Sequence, residues 1–186
     1  MILLARKKRI WYPGATYHII NRGIRRVDIF KDDSDYLHFL EYVKMVKEEY
    51  PFKIHSLCLM TNHFHIVLET GDNAISKIMQ KISSLYACFF NYKYDYTGHL
   101  FEGRYTSRII EDEKYFLEVS RYIHLNPVKA KMVKVPSEYV YSSYNLFAAE
   151  DSLIVNENEN MSNKETIQRM IAGLVDTKRV LGSFEN

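Results

Sequence analysis

Cysteine, proline and glycine are scarce in this 186-residue sequence, which holds 2 Cys, 4 Pro and 7 Gly. Two cysteines are too few for a disulfide scaffold or a cysteine-rich zinc module. Cys58 and Cys88 both lie in apolar runs, so we expect buried free thiols. The low glycine and proline content excludes collagen-like and low-complexity architectures. Since 47% of the residues are hydrophobic and 14% aromatic, the composition is typical of a folded globular protein.

Long apolar stretches are also missing, and no run approaches the length that spans a bilayer. The apolar start at residues 1–5 is too short for a signal peptide, and basic residues follow it rather than precede it. We therefore expect a cytoplasmic protein with no membrane partner.

The net charge of +2 conceals an uneven distribution. Residues 1–31 carry eight basic side chains and one acidic one, whereas the chain from Glu150 onward carries seven acids and four bases. A basic arm on a nearly neutral body favours a polyanionic partner. A solvated run of charges without a partner explains the arm equally well when it is considered alone.

Length and hydrophobic periodicity predict one domain at residues 1–150, followed by a polar linker with a short helical extension at 151–186. The expected order is strand (16–21), helix (to 50), strand (52–60), strand (63–70), helix capped at 71–73, strand (ending near 110) and a third helix that Asn126-Pro127 stops. This order predicts an α+β fold of the ferredoxin-like, split β-α-β type. It has an antiparallel sheet with helices on one face, plus the third helix.

The first chemical motif is the pair His63 and His65 on the second hairpin strand. Side chains alternate along a strand, so both imidazoles project from one face while Phe64 faces the core. Two imidazoles at this spacing can share a metal ion, although two surface histidines are as good an interpretation of the pair alone. A histidine-triad hydrolase would need a third histidine where Val67 stands, and a zinc protease would need its pair on a helix.

The second motif is Tyr122 and Asn126 in the third predicted helix. Residues four apart share a helical face, so a phenol and an amide oxygen lie along one stripe. The pair is a plausible nucleophile beside a ligand for a hard cation, but a core tyrosine explains Tyr122 alone at least as well. His124 points away from this stripe, and we interpret it as structural or phosphate-contacting.

With these motifs the sequence resembles the single-tyrosine transposases of the HUH endonuclease superfamily, namely their insertion-sequence-200-type domain and above all the REP-associated tyrosine transposase branch. The resemblance rests on MTNHFHIVL at 60–68, GHLFEGRY at 98–105, RYIHLNPVKA at 121–130 and YSSY at 141–144. These blocks keep the order and spacing of the family. The likeness covers residues 14–145.

The resemblance implies a metal-dependent enzyme that nicks and joins single-stranded DNA near hairpins through a 5′-phosphotyrosine. It implies that His63, His65 and Asn126 bind Mg²⁺ or Mn²⁺, and that Tyr122 is the nucleophile. Thr61 stands where relatives usually have Pro, a change that a hairpin turn tolerates. Asn126 replaces the Gln of the better-known insertion-sequence branch, which puts metal affinity and geometry in question, and matches the REP-associated branch.

The expected partner is single-stranded or hairpin DNA, with the protein acting as a monomer or homodimer, associated with the nucleoid. Phosphate contacts are expected from basic side chains, with Tyr105 or Trp11 available to stack on bases. The predicted contacts are Arg6, Lys7, Lys8, Arg9, Arg22, Arg25, Arg26 and Arg104. Two alternatives stay open: a domesticated nucleic-acid-binding protein without turnover, and a metal-binding structural domain, which the basic arm disfavours.

Overall fold

The structure is a computed structural model that describes residues 10–148 and 161–182. Its strands are β1 (Thr16–Arg22), β2 (Phe52–Met60), β3 (His63–Thr70) and β4 (Thr106–Ile109). Its helices are α1 (Asp33–Glu49), α2 (Ile75–Tyr94), α3 (Glu113–Lys129), α4 (Asn145–Ala148), α5 (Asn163–Leu174) and α6 (Lys178–Gly182).

The four strands form one antiparallel sheet in the order β2-β3-β1-β4. This confirms the predicted α+β, ferredoxin-like fold. The hairpin of β2 and β3 has the predicted bounds, because Thr61 and Asn62 turn the chain between two runs of alternating side chains. In the pairing of β1 with β3, Ile20 lies opposite His65 and Arg22 lies opposite His63.

Helices α1 and α2 pack together on one face of the sheet. The strand residues that point to this face are apolar, and those of β3 are Phe64, Ile66 and Leu68. All three are fully buried, which confirms the predicted core position of Phe64 and extends it to the residues two and four positions later. The main core therefore lies between the sheet and these two helices, away from the two histidines of the same strand.

Helix α3 lies on the opposite face, where Phe116, Val119 and Ile123 form a second apolar cluster with Cys58 and Val67 of the sheet. The sheet is thus covered on both sides. This second face also carries His63 and His65, since side chains two apart along a strand project the same way. The fold itself brings the third helix to the histidine pair.

The prediction that Asn126-Pro127 stops α3 is wrong, because the helix continues to Lys129 with Pro127 inside it. A proline near the end of a helix removes one hydrogen bond, which leaves the carbonyl of Ile123 without its usual donor. The side-chain amide of Asn126 donates to this carbonyl at 3.4 Å and to that of Tyr122 at 3.1 Å. Asn126 therefore replaces the donor that Pro127 lacks.

Two further expectations about local structure are corrected. Residues 71–73 do not cap α2, whose N-cap is Ala74 without a side-chain hydrogen bond, because the helix begins at the buried Ile75. Cys58 is a buried free thiol as expected, whereas Cys88 is a free thiol on the exposed side of α2. Cys88 lies two residues from both Tyr86 and Phe90, which occupy the buried side of that helix.

Helix α5 packs on α1 and β2, and its residues Ile167, Ile171 and Leu174 join the main core. The backbone N–H of Asp176 donates to the carbonyl of Ile54 at 2.7 Å. The predicted linker at 151–160 lies outside the described residues, and the boundary at residue 150 stays a prediction. None of the helices in the two described ranges has the length and apolar character needed to cross a bilayer.

Candidate active site

His63 and His65 lie together on the α3 face of the sheet, with ring centroids 5.0 Å apart. His63 is half-buried, whereas His65 is only 3% exposed. The Nδ1 atom of His63 is 2.6 Å from the side-chain oxygen of Asn62 in the hairpin turn. The predicted juxtaposition of the two imidazoles is therefore present in the structure.

A third histidine, His18 of β1, completes this group and was missed by the sequence reasoning. Its Nε2 atom is 3.0 Å from Nδ1 of His65, and the two rings lie edge to edge with centroids 5.3 Å apart and ring planes 21° from parallel. His18 lies opposite Val67, which puts it on the same face as His65. The available signal was the alternation along 16–22 combined with the pairing of β1 and β3 that the ferredoxin-like fold requires.

Tyr122 projects from α3 toward these histidines and is 42% exposed. Its ring centroid is 5.8 Å from that of His65 and 6.2 Å from that of His18, and both contacts are edge-to-face. The ammonium of Lys129, nearly two turns later, lies 4.7 Å from the centroid of the Tyr122 ring. The interpretation of Tyr122 as a core aromatic is therefore wrong, since the phenol is partly open to solvent beside the histidines.

Asn126 lies one turn after Tyr122 on the same stripe of α3 and is half-buried. Its amide nitrogen is held by the two helix carbonyls described above, which leaves the amide oxygen as its free ligand atom. Within the described part of the chain, no hydrogen bond joins Asn126 to His63 or His65. Its assignment as a third ligand stays a prediction.

Burial lowers the pKa of all three histidines. The pKa of His63 falls to about 4, with the charge of Arg22 as the second cause, and that of His18 falls to about 4, with Arg108 second. The pKa of His65 falls to about 3 through burial and then through His63, His18 and Arg22. The rings are therefore neutral at pH 7, and neutral imidazoles are the form that binds cations.

The donor atoms fit a divalent cation with mixed nitrogen and oxygen ligands. The described residues hold no group of three or more His, Cys, Asp or Glu side chains arranged for a metal ion. A cation at His63 and His65 would thus need oxygen ligands from an amide such as that of Asn126, from water or from a bound phosphate. The identity of the cation as Mg²⁺ or Mn²⁺, which the family resemblance implies, stays a prediction.

Several of the predicted basic residues lie around this group of histidines. Arg22 is opposite His63 in the sheet, and the exposed Arg25 and Arg26 follow it. Arg26 is tied to the hairpin turn, because the side-chain amide of Asn62 donates to its carbonyl at 3.4 Å. Arg108, which the sequence reasoning missed, lies opposite His18 on β4.

Gly23 allows the chain to turn sharply between β1 and these arginines. A Cβ atom there would lie 2.3 Å from the carbonyl oxygen of Val27. Arg25 and Arg26 both have positive φ values, 51° and 63°, a conformation that non-glycine residues rarely adopt. Tertiary contacts therefore hold this pair of arginines in a strained conformation beside the hairpin turn.

The other residues predicted to contact DNA differ in their exposure. Arg104 is exposed in the loop before β4, and Arg6 to Arg9 lie outside the described residues. The expectation that Tyr105 stacks on bases is wrong, because Tyr105 is 6% exposed and belongs to the main core. Trp11 is 37% exposed, so its stacking on DNA bases stays a prediction.

His124, interpreted from the sequence as structural or phosphate-contacting, is structural. Its side chain is buried, and its Nε2 atom is 2.8 Å from the hydroxyl of Ser143.

The candidate site is thus a ferredoxin-like sheet that carries a histidine pair, faced by a partly exposed tyrosine on a helix. The family of IS200-like transposases matches residues 12–126, and the chain belongs to this family. It is thus a member of a transposase family with the histidines and the tyrosine close together in space.

Two curated relatives bear REP-associated names. A predicted REP-associated tyrosine transposase of Haemophilus influenzae is 28% identical over 125 residues, which are 60% of this chain and 70% of the relative. The REP-associated tyrosine transposase of Escherichia coli strain K12 is 24% identical over 140 residues, which are 74% of this chain and 81% of the relative.

A solved structure of a REP-associated tyrosine transposase bound to a REP hairpin is similar in fold. It superposes with a TM-score of 0.67 at 20% sequence identity, covering 86% of this chain and 99% of that chain. At this identity the likeness establishes the shared fold.

Proposed function

We propose that the protein cleaves and joins single-stranded DNA beside hairpins, with Tyr122 as the nucleophile. The observation that carries the proposal is the contact between the partly exposed Tyr122 ring and the buried His65 ring, with centroids 5.8 Å apart. A tyrosine kept for packing alone would be buried on this face with Ile123 and Phe116. Membership of the IS200-like transposase family supports the same reaction class.

In the proposed reaction the phenolic oxygen of Tyr122 attacks the phosphorus of a DNA phosphodiester. A bond forms between that oxygen and phosphorus, and the bond from phosphorus to the 3′ oxygen breaks. The phenol loses one proton and the leaving 3′ oxygen gains one, so no oxidant or nucleotide cofactor is consumed. The products are a 5′-phosphotyrosine and a free 3′-hydroxyl, which can rejoin the strand by the reverse reaction.

The chain supplies positioning and charge for this step. His63 and His65, with Asn126, would hold Mg²⁺ or Mn²⁺, which when bound supplies Lewis-acid stabilisation of the phosphate charge. The ammonium of Lys129 lies over the Tyr122 ring, where its positive charge favours the negative charge that develops on the phenolic oxygen. Arg22 and Arg108 flank the histidines on β1 and β4, where their charges favour a bound phosphodiester.

Hairpin DNA is the proposed partner because several exposed basic residues lie around the candidate site. The structural neighbour is bound to a REP hairpin, and the exposed Arg25, Arg26 and Arg104 give this chain the charges for a similar contact. The basic residues at 6–9 would add to the same electrostatic attraction.

The test is an adduct assay with single-stranded hairpin oligonucleotides and Mn²⁺. Each oligonucleotide is labelled separately at its 5′ or 3′ end. We expect the 3′ label to become attached to the protein and the 5′ label to be released, with the modified peptide containing Tyr122. Attachment of the 5′ label, or a modified peptide without Tyr122, would contradict the proposal. Tight hairpin binding without any adduct would favour the alternative of a domesticated binding protein.

A further inference from the structure

We infer that His18 is a positioning residue that makes His65 present its Nε2 atom to the cation site. This inference rests on the metal site proposed above. The starting observation is the 3.0 Å separation between Nε2 of His18 and Nδ1 of His65. Two neutral imidazoles at this distance share one hydrogen bond, so one nitrogen donates and the other accepts.

The direction of that hydrogen bond decides whether His65 can bind a cation. If Nδ1 of His65 donates to His18, Nε2 of His65 keeps its lone pair. If Nε2 of His18 donates instead, the proton of His65 sits on Nε2 and blocks it, while Nδ1 is occupied by the hydrogen bond. Only the first arrangement is compatible with metal binding, and metal-bound histidines generally donate their other N–H to such a partner.

The neighbouring His63 shows the same arrangement with a fixed direction. The side-chain amide nitrogen of Asn62 donates to the carbonyl of Arg26, so the amide oxygen is the atom that faces Nδ1 of His63. An amide oxygen can only accept, and Nδ1 of His63 must therefore carry the proton. This leaves the lone pair of His63 on Nε2.

His18 thus has the same relation to His65 as Asn62 has to His63. The sheet holds His18 firmly in this role, because β1 pairs with β3 on one side and with β4 on the other. The two ring planes are 21° from parallel, so the hydrogen bond lies near the plane of both rings and orients the ring of His65 as well as its proton. The ring of His18 is also 73° from the plane of the Tyr122 ring, with centroids 6.2 Å apart, so one residue neighbours both the predicted ligand and the proposed nucleophile.

The test measures Mn²⁺ binding without DNA, by titration calorimetry or electron paramagnetic resonance. His18→Phe keeps an aromatic ring but removes the acceptor, and we expect about a 10- to 100-fold weaker affinity. His18→Gln restores an acceptor atom near the position of Nε2, so its affinity should stay within a few-fold of wild type. His38→Phe is the matched control, since His38 is a half-buried histidine on α1, stacked on Phe89.

A second measurement examines the hydrogen bond directly. Nitrogen-15 spectra of the His65 ring at neutral pH should show the proton on Nδ1 in the wild-type protein and in His18→Gln. A proton on Nε2 of His65 would overturn the inference, as would unchanged Mn²⁺ affinity in a folded His18→Phe variant. If the wild-type protein bound no Mn²⁺, or His63→Ala and His65→Ala bound it normally, the proposed metal site itself would be wrong.

Discussion

The ring of Tyr122 meets the ring of His65 nearly edge-on, at an interplanar angle of 83° and a centroid separation of 5.8 Å. The two residues come from α3 and β3, which pack on each other through the apolar cluster around Val67 and Ile123. A small change in this packing would move Tyr122 relative to His65. The second core cluster therefore sets the geometry of the candidate site.

We predict that Tyr122→Phe abolishes the covalent DNA adduct while leaving the fold unchanged. The substitution removes one oxygen from a side chain that is 42% exposed, so the free energy of unfolding should change by no more than about 0.5 kcal/mol. DNA binding should persist, because phosphate contacts come from basic side chains. Adduct formation on denaturing gels, urea unfolding and a hairpin-binding titration check the three parts.

The matched control for this variant is Tyr115→Phe, nearly two turns earlier on the same helix. This variant should form the adduct at the wild-type rate. An adduct formed by Tyr122→Phe, or its loss in Tyr115→Phe, would refute the assignment of the nucleophile.

We predict that His63→Ala and His65→Ala each reduce cation-dependent cleavage by about 100-fold or more, since metal-ion catalysis contributes several kcal/mol. Their stabilities should differ. His63 is half-buried, whereas His65 is 3% exposed and paired with His18, so only His65→Ala should be destabilised by about 1–3 kcal/mol. Cleavage assays with and without chelator, together with urea unfolding, separate the two effects.

The His38→Ala variant controls for loss of a histidine elsewhere in the fold. Cleavage by His63→Ala and His65→Ala at the wild-type rate, with unchanged dependence on Mn²⁺, would remove the basis for a metal site at this pair.

Asn126 should contribute separately to the stability of α3 and to DNA cleavage. Its amide nitrogen supports the helix carbonyl freed by Pro127, and its oxygen is the predicted ligand. We expect Asn126→Ala to lose about 1 kcal/mol of stability, with a milder loss of cleavage than the histidine variants, because water can replace one oxygen ligand. Asn126→Asp keeps an oxygen ligand without the donor, and should be destabilised but more active than Asn126→Ala. Equal rates of cleavage by Asn126→Asp and Asn126→Ala would exclude Asn126 as a metal ligand.

The sequence predicted best those elements whose signals are local. The β2–β3 hairpin follows from strict alternation and a two-residue turn, and the pair His63 and His65 follows from the same alternation. Tyr122 was assigned through the family resemblance, since the helical stripe alone did not distinguish a nucleophile from a core aromatic. Its position beside His65 then follows from α3 packing on the second face of the sheet.

The errors arose where tertiary contacts overrule local signals. Pro127 is a helix breaker by propensity, yet Asn126 supplies the missing donor and the helix continues. His18 has no motif of its own, and its role depends on the register between strands distant in sequence. Tyr105 precedes the short strand β4 and packs into the main core, which the irregular pattern at 98–105 could not indicate.

Acidification should destabilise the protein, and His124 gives a defined test. Burial lowers its pKa to about 4, whereas an unfolded histidine titrates near 6.5. The unfolded chain therefore takes up the proton first as pH falls. The free energy of unfolding is therefore unaffected by this residue above about pH 6.5 and falls as the pH approaches 4. At pH 4 the loss caused by His124 alone is about 3 kcal/mol.

The variant His124→Gln can keep the hydrogen bond to Ser143 and cannot titrate. Its free energy of unfolding, measured in urea between pH 4 and 7, should depend less on pH than that of the wild type or of His38→Gln. An identical dependence in His124→Gln and wild type would contradict the assignment.

The last prediction concerns the basic arm, whose residues Arg6, Lys7, Lys8 and Arg9 lie outside the described part of the chain. Removing residues 1–9 should leave the fold intact, because the carbonyl of Ile10 already accepts a hydrogen bond from Tyr17. Hairpin binding should weaken, and the slope of log affinity against log salt should become shallower by about 3–4, since fewer counterions are released. The double variant Lys44→Ser, Lys77→Ser removes charges from α1 and α2, away from the histidines, and should leave the slope unchanged. If the slope of log affinity against log salt were the same in the truncated protein as in the full chain, the arm would not contact DNA.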